Sequence, residues 1–180
     1  MKTMKRLFPS TLVAILLAFV AGPALTAQAD DIVAQSNRAV KTFKRTDPSM
    51  RKFFSSSVGY AILPSVTTGG LGIGAQRGKG LVYAGNKLIG KTTLTQVSIG
   101  AQIGGEEFSE IVFFQTRKAL SDFKTGQFSM SAQAKANAAA SGVAANADYQ
   151  NGVAVFTQAK KGLMAAAAIG SQKFGYESFR

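Results

Sequence analysis

The spacing of apolar and polar positions changes character twice along the chain. From Asp30 to Phe43 the apolar residues Ile32, Val33, Ala39, Val40 and Phe43 recur at steps near the helical period. Asp30 and Asp31 suit the N-terminal end of such a helix. Asp47-Pro48 breaks the pattern, and a second short helical stretch adds Met50, Arg51, Lys52, Phe53 and Phe54. Beyond Val58 alternation and glycine take over. In Gly70-Leu71-Gly72-Ile73-Gly74-Ala75 a strand would carry side chains on one face and almost nothing on the other, inviting close approach by another backbone or a helix. Arg77 to Gly80 reads as a turn, Leu81 to Tyr83 as a strand, Gly85-Asn86 as a hairpin turn, and Leu88 to Ile103 as one or two strands. Phe108 to Phe114 continues the sheet after an acidic turn at Glu106 and Glu107. A short helix follows from Arg117 to Lys124, with Thr116 as N-cap, Ala119, Leu120 and Phe123 inward, and Gly126 as the stop.

In residues 128 to 138 alanine content favours helix, but apolar and polar residues alternate without interruption, so a strand is expected. Asn146 to Gly152 reads as a polar loop. Val153 to Gln158 and Leu163 to Phe174 read as a final hairpin across Lys160-Lys161-Gly162. A helix followed by many strands implies an α+β domain: N-terminal amphipathic helices packed on a strongly curved, mainly antiparallel, glycine-rich and barrel-like sheet, with one short helix inserted near 117–124. The spelling Ile-Gly-Ala-Gln at 73–76 and 99–102 returns as Ile-Gly-Ser-Gln at 169–172. The unequal intervals argue against a solenoid. Three similar strands whose glycines allow tight packing or a bend explain it best.

The first 29 residues read differently from the rest. Lys2, Lys5 and Arg6 precede an apolar run from Leu12 to Val20, and small residues end in Ala27-Gln28-Ala29. That layout is a secretory signal peptide, cleaved before Asp30. The apolar run is about half of the ~20 residues a spanning helix needs. Residues 1–29 are therefore expected to be removed, leaving a single domain at 30–180 in an exported protein, periplasmic or secreted. No cysteine is available near the cleavage point for lipid attachment, or elsewhere for a disulfide.

Charge sharpens the picture. The chain carries 21 Lys+Arg against 9 Asp+Glu, a net +12, which falls to +9 once residues 1–29 are gone. Arg38, Lys41, Lys44, Arg45, Arg51 and Lys52 stand against Asp47 alone, so five of those nine charges lie in one stretch. Such a balance asks for an anionic partner, and export removes genomic nucleic acid from the choices. With no His and no Cys, Ser-His-Asp triads, cysteine nucleophiles and the usual zinc or haem ligation are excluded, and no cofactor or metal is implied. Gly70-x-Gly72-x-Gly74 lacks the dinucleotide-binding spacing, and Gly78-Lys79-Gly80 lacks the hydroxyl residue that follows Lys in a phosphate-binding loop. Asp148 to Gly152 has one carboxylate, too few for a calcium loop.

Several stretches together resemble the SYLF family: Tyr60-Ala61-Ile62-Leu63-Pro64-Ser65, the Gly69 to Gly74 run, Thr95 to Gly100, Phe108 to Phe114, Gly152 to Phe156, Lys160 to Met164 and Gln172-Lys173-Phe174. The resemblance implies a phosphoinositide-binding-like module, in some eukaryotic members actin-binding, that contacts lipid through a basic amphipathic N-terminal segment. Carried over residue by residue, it makes Arg38, Lys41, Lys44, Arg45, Arg51, Lys52, Phe53 and Phe54 the lipid-contact candidates. In an exported chain the implied partner is an anionic phospholipid surface, and neither actin nor a cytoplasmic phosphoinositide. Two other readings stand beside this one. The same cations could hold an acidic protein or polyanion in an envelope scaffold. A carboxylate-dependent enzyme could be built on Glu106, Glu107, Glu110 and Asp148, of which Glu110, inside a strand, most needs explaining; a salt bridge to Lys or Arg is the simpler expectation.

Overall fold

The computed structural model describes residues 24–128, 136–138, 142–161 and 172–179. Helix α1 (Ala24–Thr46) is followed by a tight 3₁₀ turn at Pro48–Met50 and by α2 (Arg51–Ser56). Pro48 sits where its missing N–H costs nothing, and Asp47 accepts the Ser49 N–H at 3.0 Å, so the expected break is there. The apolar stripe of α1 lies on the sheet: Ala39 and Phe43 are buried, with Ile32, Val33 and Val40 packed beside them.

Two long strands dominate the sheet. β1 (Gly59–Ala84) and β2 (Lys87–Phe114) pair antiparallel from Gly59↔Phe114 to Ala84↔Lys87 across a turn in which Gly85 has φ +56°. At 26 and 28 residues they far exceed the usual length of about 5 to 6, and a ribbon so long must coil to bury a face. It doubles over on itself. The Gly85 N–H donates to the Val58 carbonyl at 2.9 Å, so the tip of the hairpin lies against its base. A Cβ built on Gly80 would stand 2.2 Å from the Ile62 carbonyl oxygen, and one on Gly59 2.3 Å from that of Tyr83.

Two expected turns are therefore strand interior. Gly78 and Gly80 pair with Leu94 and Thr92, and Glu106 and Glu107 pair with Thr68 and Thr67. The glycines that read as a turn are needed instead where one half of β1 crosses the other.

Helix α3 (Arg117–Lys124) forms as expected, with Thr116 Oγ1 accepting the Ala119 N–H at 3.2 Å and Gly126 at φ +71°. β3 (Ala136–Ala138) keeps part of the expected strand; residues 129–135 lie outside the described residues. α4 (Val143–Asn146) is a single turn of helix just before the loop expected from Asn146 to Gly152. β4 (Val153–Lys161) pairs with the C-terminal half of β2, while β5 (Lys173–Ser178) pairs with its N-terminal half. Most of the strand expected to return from Lys160-Lys161-Gly162 falls on residues 163–171, which with Gly162 lie outside the described residues. β3 adds to β4 in parallel, giving the order β1-β2-β4-β3 with β5 on the other half of β2, a sheet that curls without closing.

Curling separates two cores. Leu63, Val66, Val82, Leu94, Phe108, Val112 and Phe114 fill the concave side, closed by Phe123 of α3 and Phe174 of β5. Ile62, Leu81, Ile111, Phe113 and Phe156 form the opposite face, covered by Phe43, Met50 and Phe53. Alternation from Tyr60 to Leu63 and from Phe108 to Phe114 thus serves two apolar layers.

Candidate functional site

The basic segment keeps its cations outside. Arg38, Lys41, Lys44, Arg45, Arg51 and Lys52 are all exposed, and Arg38, Lys41 and Arg45 follow one face of α1 at i, i+3 and i+7. The phenylalanines are placed differently from the sequence expectation. Phe53 is buried, stacked on Phe113 with ring centroids 5.6 Å apart and meeting Phe156 edge-on at 4.9 Å. Phe54 is half-buried against Tyr60 and Phe113, with the Lys44 ammonium 4.2 Å above its ring. Both rings belong to the outer core. Lys52 is also tied inward: its Nζ donates to the carbonyls of Ala145 and Ala147, each at 2.9 Å, at the end of α4.

Asp47, the single acid of the segment, does not offset those charges at the surface. Its buried carboxylate accepts the Ser49 N–H and hydroxyl and the Ala144 N–H, the last at 2.7 Å. Burial pushes its pKa up, but the hydrogen bonds outweigh burial and hold it below the usual value. Asp47 thereby ties α4 to the 3₁₀ turn. Asp47→Ala is expected to cost about 2 to 4 kcal/mol, through a lost cap and a lost charge-assisted bond. Urea unfolding at pH 7 measures this. Because the carboxylate pKa is depressed on folding, the contribution is present above the unfolded value and fades as pH falls through the folded one.

A second cluster lies inside the curl. Glu110 is fully buried, and Oε2 accepts from Gln172 Nε2 at 3.0 Å. Gln76 and Gln96 are register partners, and the Thr95↔Lys173 pair puts Gln172 beside Gln96 one step further on. All three glutamines are at least nine-tenths buried. The expected salt bridge to Glu110 is absent among the described residues: its partner is a neutral amide. With no cation beside it, burial raises the carboxyl pKa to about 7, against a smaller lowering by the Gln172 bond. Glu107 points elsewhere, accepting from Ser65 at 2.9 Å and from Lys160 at 3.3 Å. The paired-carboxylate arrangement that acid–base catalysis asks for is therefore not assembled from Glu107 and Glu110.

Residues 95–175 match the family described as Ysc84: Las17-binding protein actin regulator. Over this segment the chain is similar to SYLF-domain sequence. It runs from the middle of β2 to β5, so the SYLF match takes in Glu110 and Gln172 and leaves α1 and the basic segment outside it. No curated protein matches the chain. SYLF domains are in general binding modules rather than enzymes. Sequence reasoning missed the three glutamines around Glu110. The repeated Ile-Gly-x-Gln spelling carried the signal, since it supplies both Gln76 and Gln172.

Proposed function

We propose that this chain is a non-enzymatic peripheral module that holds to anionic phospholipid surfaces through the cations of residues 38–52. One observation carries the reading: the apolar stripe of α1 is covered by the sheet while five cations, Arg38, Lys41, Lys44, Arg45 and Arg51, stay exposed and Asp47 is turned inward. Each Lys or Arg near an anionic leaflet contributes ~1 kcal/mol, so together they suffice for reversible docking. The N-terminal sequence supports export with loss of residues 1–29, which would put the domain at 30–180 before an envelope membrane.

Because the stripe is covered, attraction dominates over insertion. Binding to phosphatidylglycerol vesicles is expected at low salt, little to phosphatidylcholine, with near-complete release at ~1 M salt, where screening falls to about 3 Å. Changing Arg38, Lys41 and Arg45 together to Gln should weaken vesicle partition by roughly 100-fold, about 1 kcal/mol for each of the three charges. Cosedimentation that is indifferent to headgroup charge would rule the reading out. A scaffold for an acidic protein would show instead as salt-sensitive protein binding without vesicle binding.

A further inference from the structure

The exposed face of the sheet beside the start of α1 carries an array that the basic segment does not include. In register across three strands stand Arg77, Thr95 and Lys173, and next to them Lys79, Thr93 and Gly175. All six are on the outer face, and the five with side chains other than hydrogen alternate as cations and hydroxyls. Cross-strand neighbours lie about 5 Å apart, a span that the oxygens of one phosphoryl group can bridge. The array is not flat surface. Together with Asp31 and Gln35 of α1 and Pro64 of β1, Arg77, Lys79, Thr93 and Thr95 line a cleft of about 430 Å³.

Three features separate this cleft from an ordinary solvated sheet face. Its cations Arg77 and Lys79, and the flanking Lys173, make no ion pair among the described residues. The one carboxylate on its wall, Asp31, is held by Gln35 Nε2 at 2.7 Å, leaving two cations against one engaged acid. A Cβ at position 175 would stand 2.8 Å from Thr93 Oγ1, so glycine there is what leaves that hydroxyl uncovered. Cations for the charge, hydroxyls as directional donors and an apolar wall from Ile32 suit a tetrahedral oxyanion joined to a less polar group.

We infer that this cleft binds the phosphoryl group of a phospholipid headgroup, docking a single lipid while the 38–52 cations hold the surrounding surface. The inference rests on the membrane reading for the source of the ligand, and the site itself can be tested without a membrane. Glycerol 3-phosphate titrated into the full chain at constant ionic strength should saturably shift the amide resonances of Thr93 and Thr95. Arg77→Gln with Lys79→Gln should abolish that shift and weaken partition onto phosphatidylglycerol vesicles at least about tenfold. Gly175→Ser, which covers Thr93, should weaken the shift with both cations in place, and Asp31→Asn should strengthen it. Changing Arg38, Lys41 and Arg45 should leave the soluble-phosphate shift intact while vesicle binding falls. No saturable shift in the millimolar range, or a shift unchanged in the Arg77/Lys79 variant, overturns the site. A shift that persists in a chain that ignores vesicles overturns the lipid as its source and leaves a site for soluble phosphate esters.

Discussion

Replacing Gly80 by alanine is expected to lower the unfolding free energy by about 3 kcal/mol or more, the upper end of what overpacking costs. The added carbon would stand 2.2 Å from the Ile62 carbonyl oxygen, 2.9 Å from its carbon and 3.0 Å from Leu63 Cγ. Two of those atoms are backbone, so no rotamer change makes room. Nor can Ile62 retreat easily: it is held in register with Ile111 and buried in the outer core. Relief requires the two halves of β1 to separate, which loosens the curl and both cores with it. Gly69→Ala is the control, because its Cβ would meet nothing within 4 Å, and a change within about 0.5 kcal/mol is expected there. Urea midpoints for the two variants decide the matter. A Gly80→Ala protein as stable as the parent would mean that the doubled ribbon is not held at this crossing.

Glu110→Gln should act in the opposite direction at neutral and alkaline pH. The carboxyl keeps its proton in the folded protein up to about 7, against 4.5 for an ordinary glutamate, because burial penalises its charge. Between those values the native state binds more protons than the unfolded chain. Stability from this group is therefore greatest below about 4.5, declines as pH rises through the window, and is level above 7. At ~1.4 kcal/mol per pH unit the loss is roughly 3 kcal/mol. Glutamine cannot ionise and retains an oxygen to accept from Gln172. The variant should be more stable than the parent at pH 8, with a flatter profile from pH 5 to 7. The measurement is urea unfolding of both proteins at pH 5 and pH 8. An unchanged slope in the variant would show that Glu110 already ionises with its ordinary value.

The same residues show how far the sequence could be read. Local features were legible because their causes are local. Thr116 and Gly126 bound α3 through one hydrogen bond and one positive φ, and Gly85 makes the hairpin turn in the same way. The basic stretch from Arg38 to Lys52 was visible as charge, and its exposure followed from the cost of burying it. The aromatic pair Phe53-Phe54 was not assignable in this manner. Either ring could have faced a membrane or a core, and only a partner distant in sequence, Phe113, places them.

What the sequence determined by itself was the α+β class, the helical stripe, the turn at Gly85 and the stop at Gly126, and the sign and place of the charge, each fixed by interactions within a few residues. The tertiary structure alone decided the rest. It made Gly78 and Gly80 a crossing point rather than a turn, since that depends on where Ile62 and Leu63 arrive. It also sent β4 and β5 to opposite halves of β2 and brought Gln172 to Glu110, 62 positions away. A doubled hairpin joins residues through space that no periodicity along the chain records. The buried glutamate and the cleft beside Arg77 both arise from that curl.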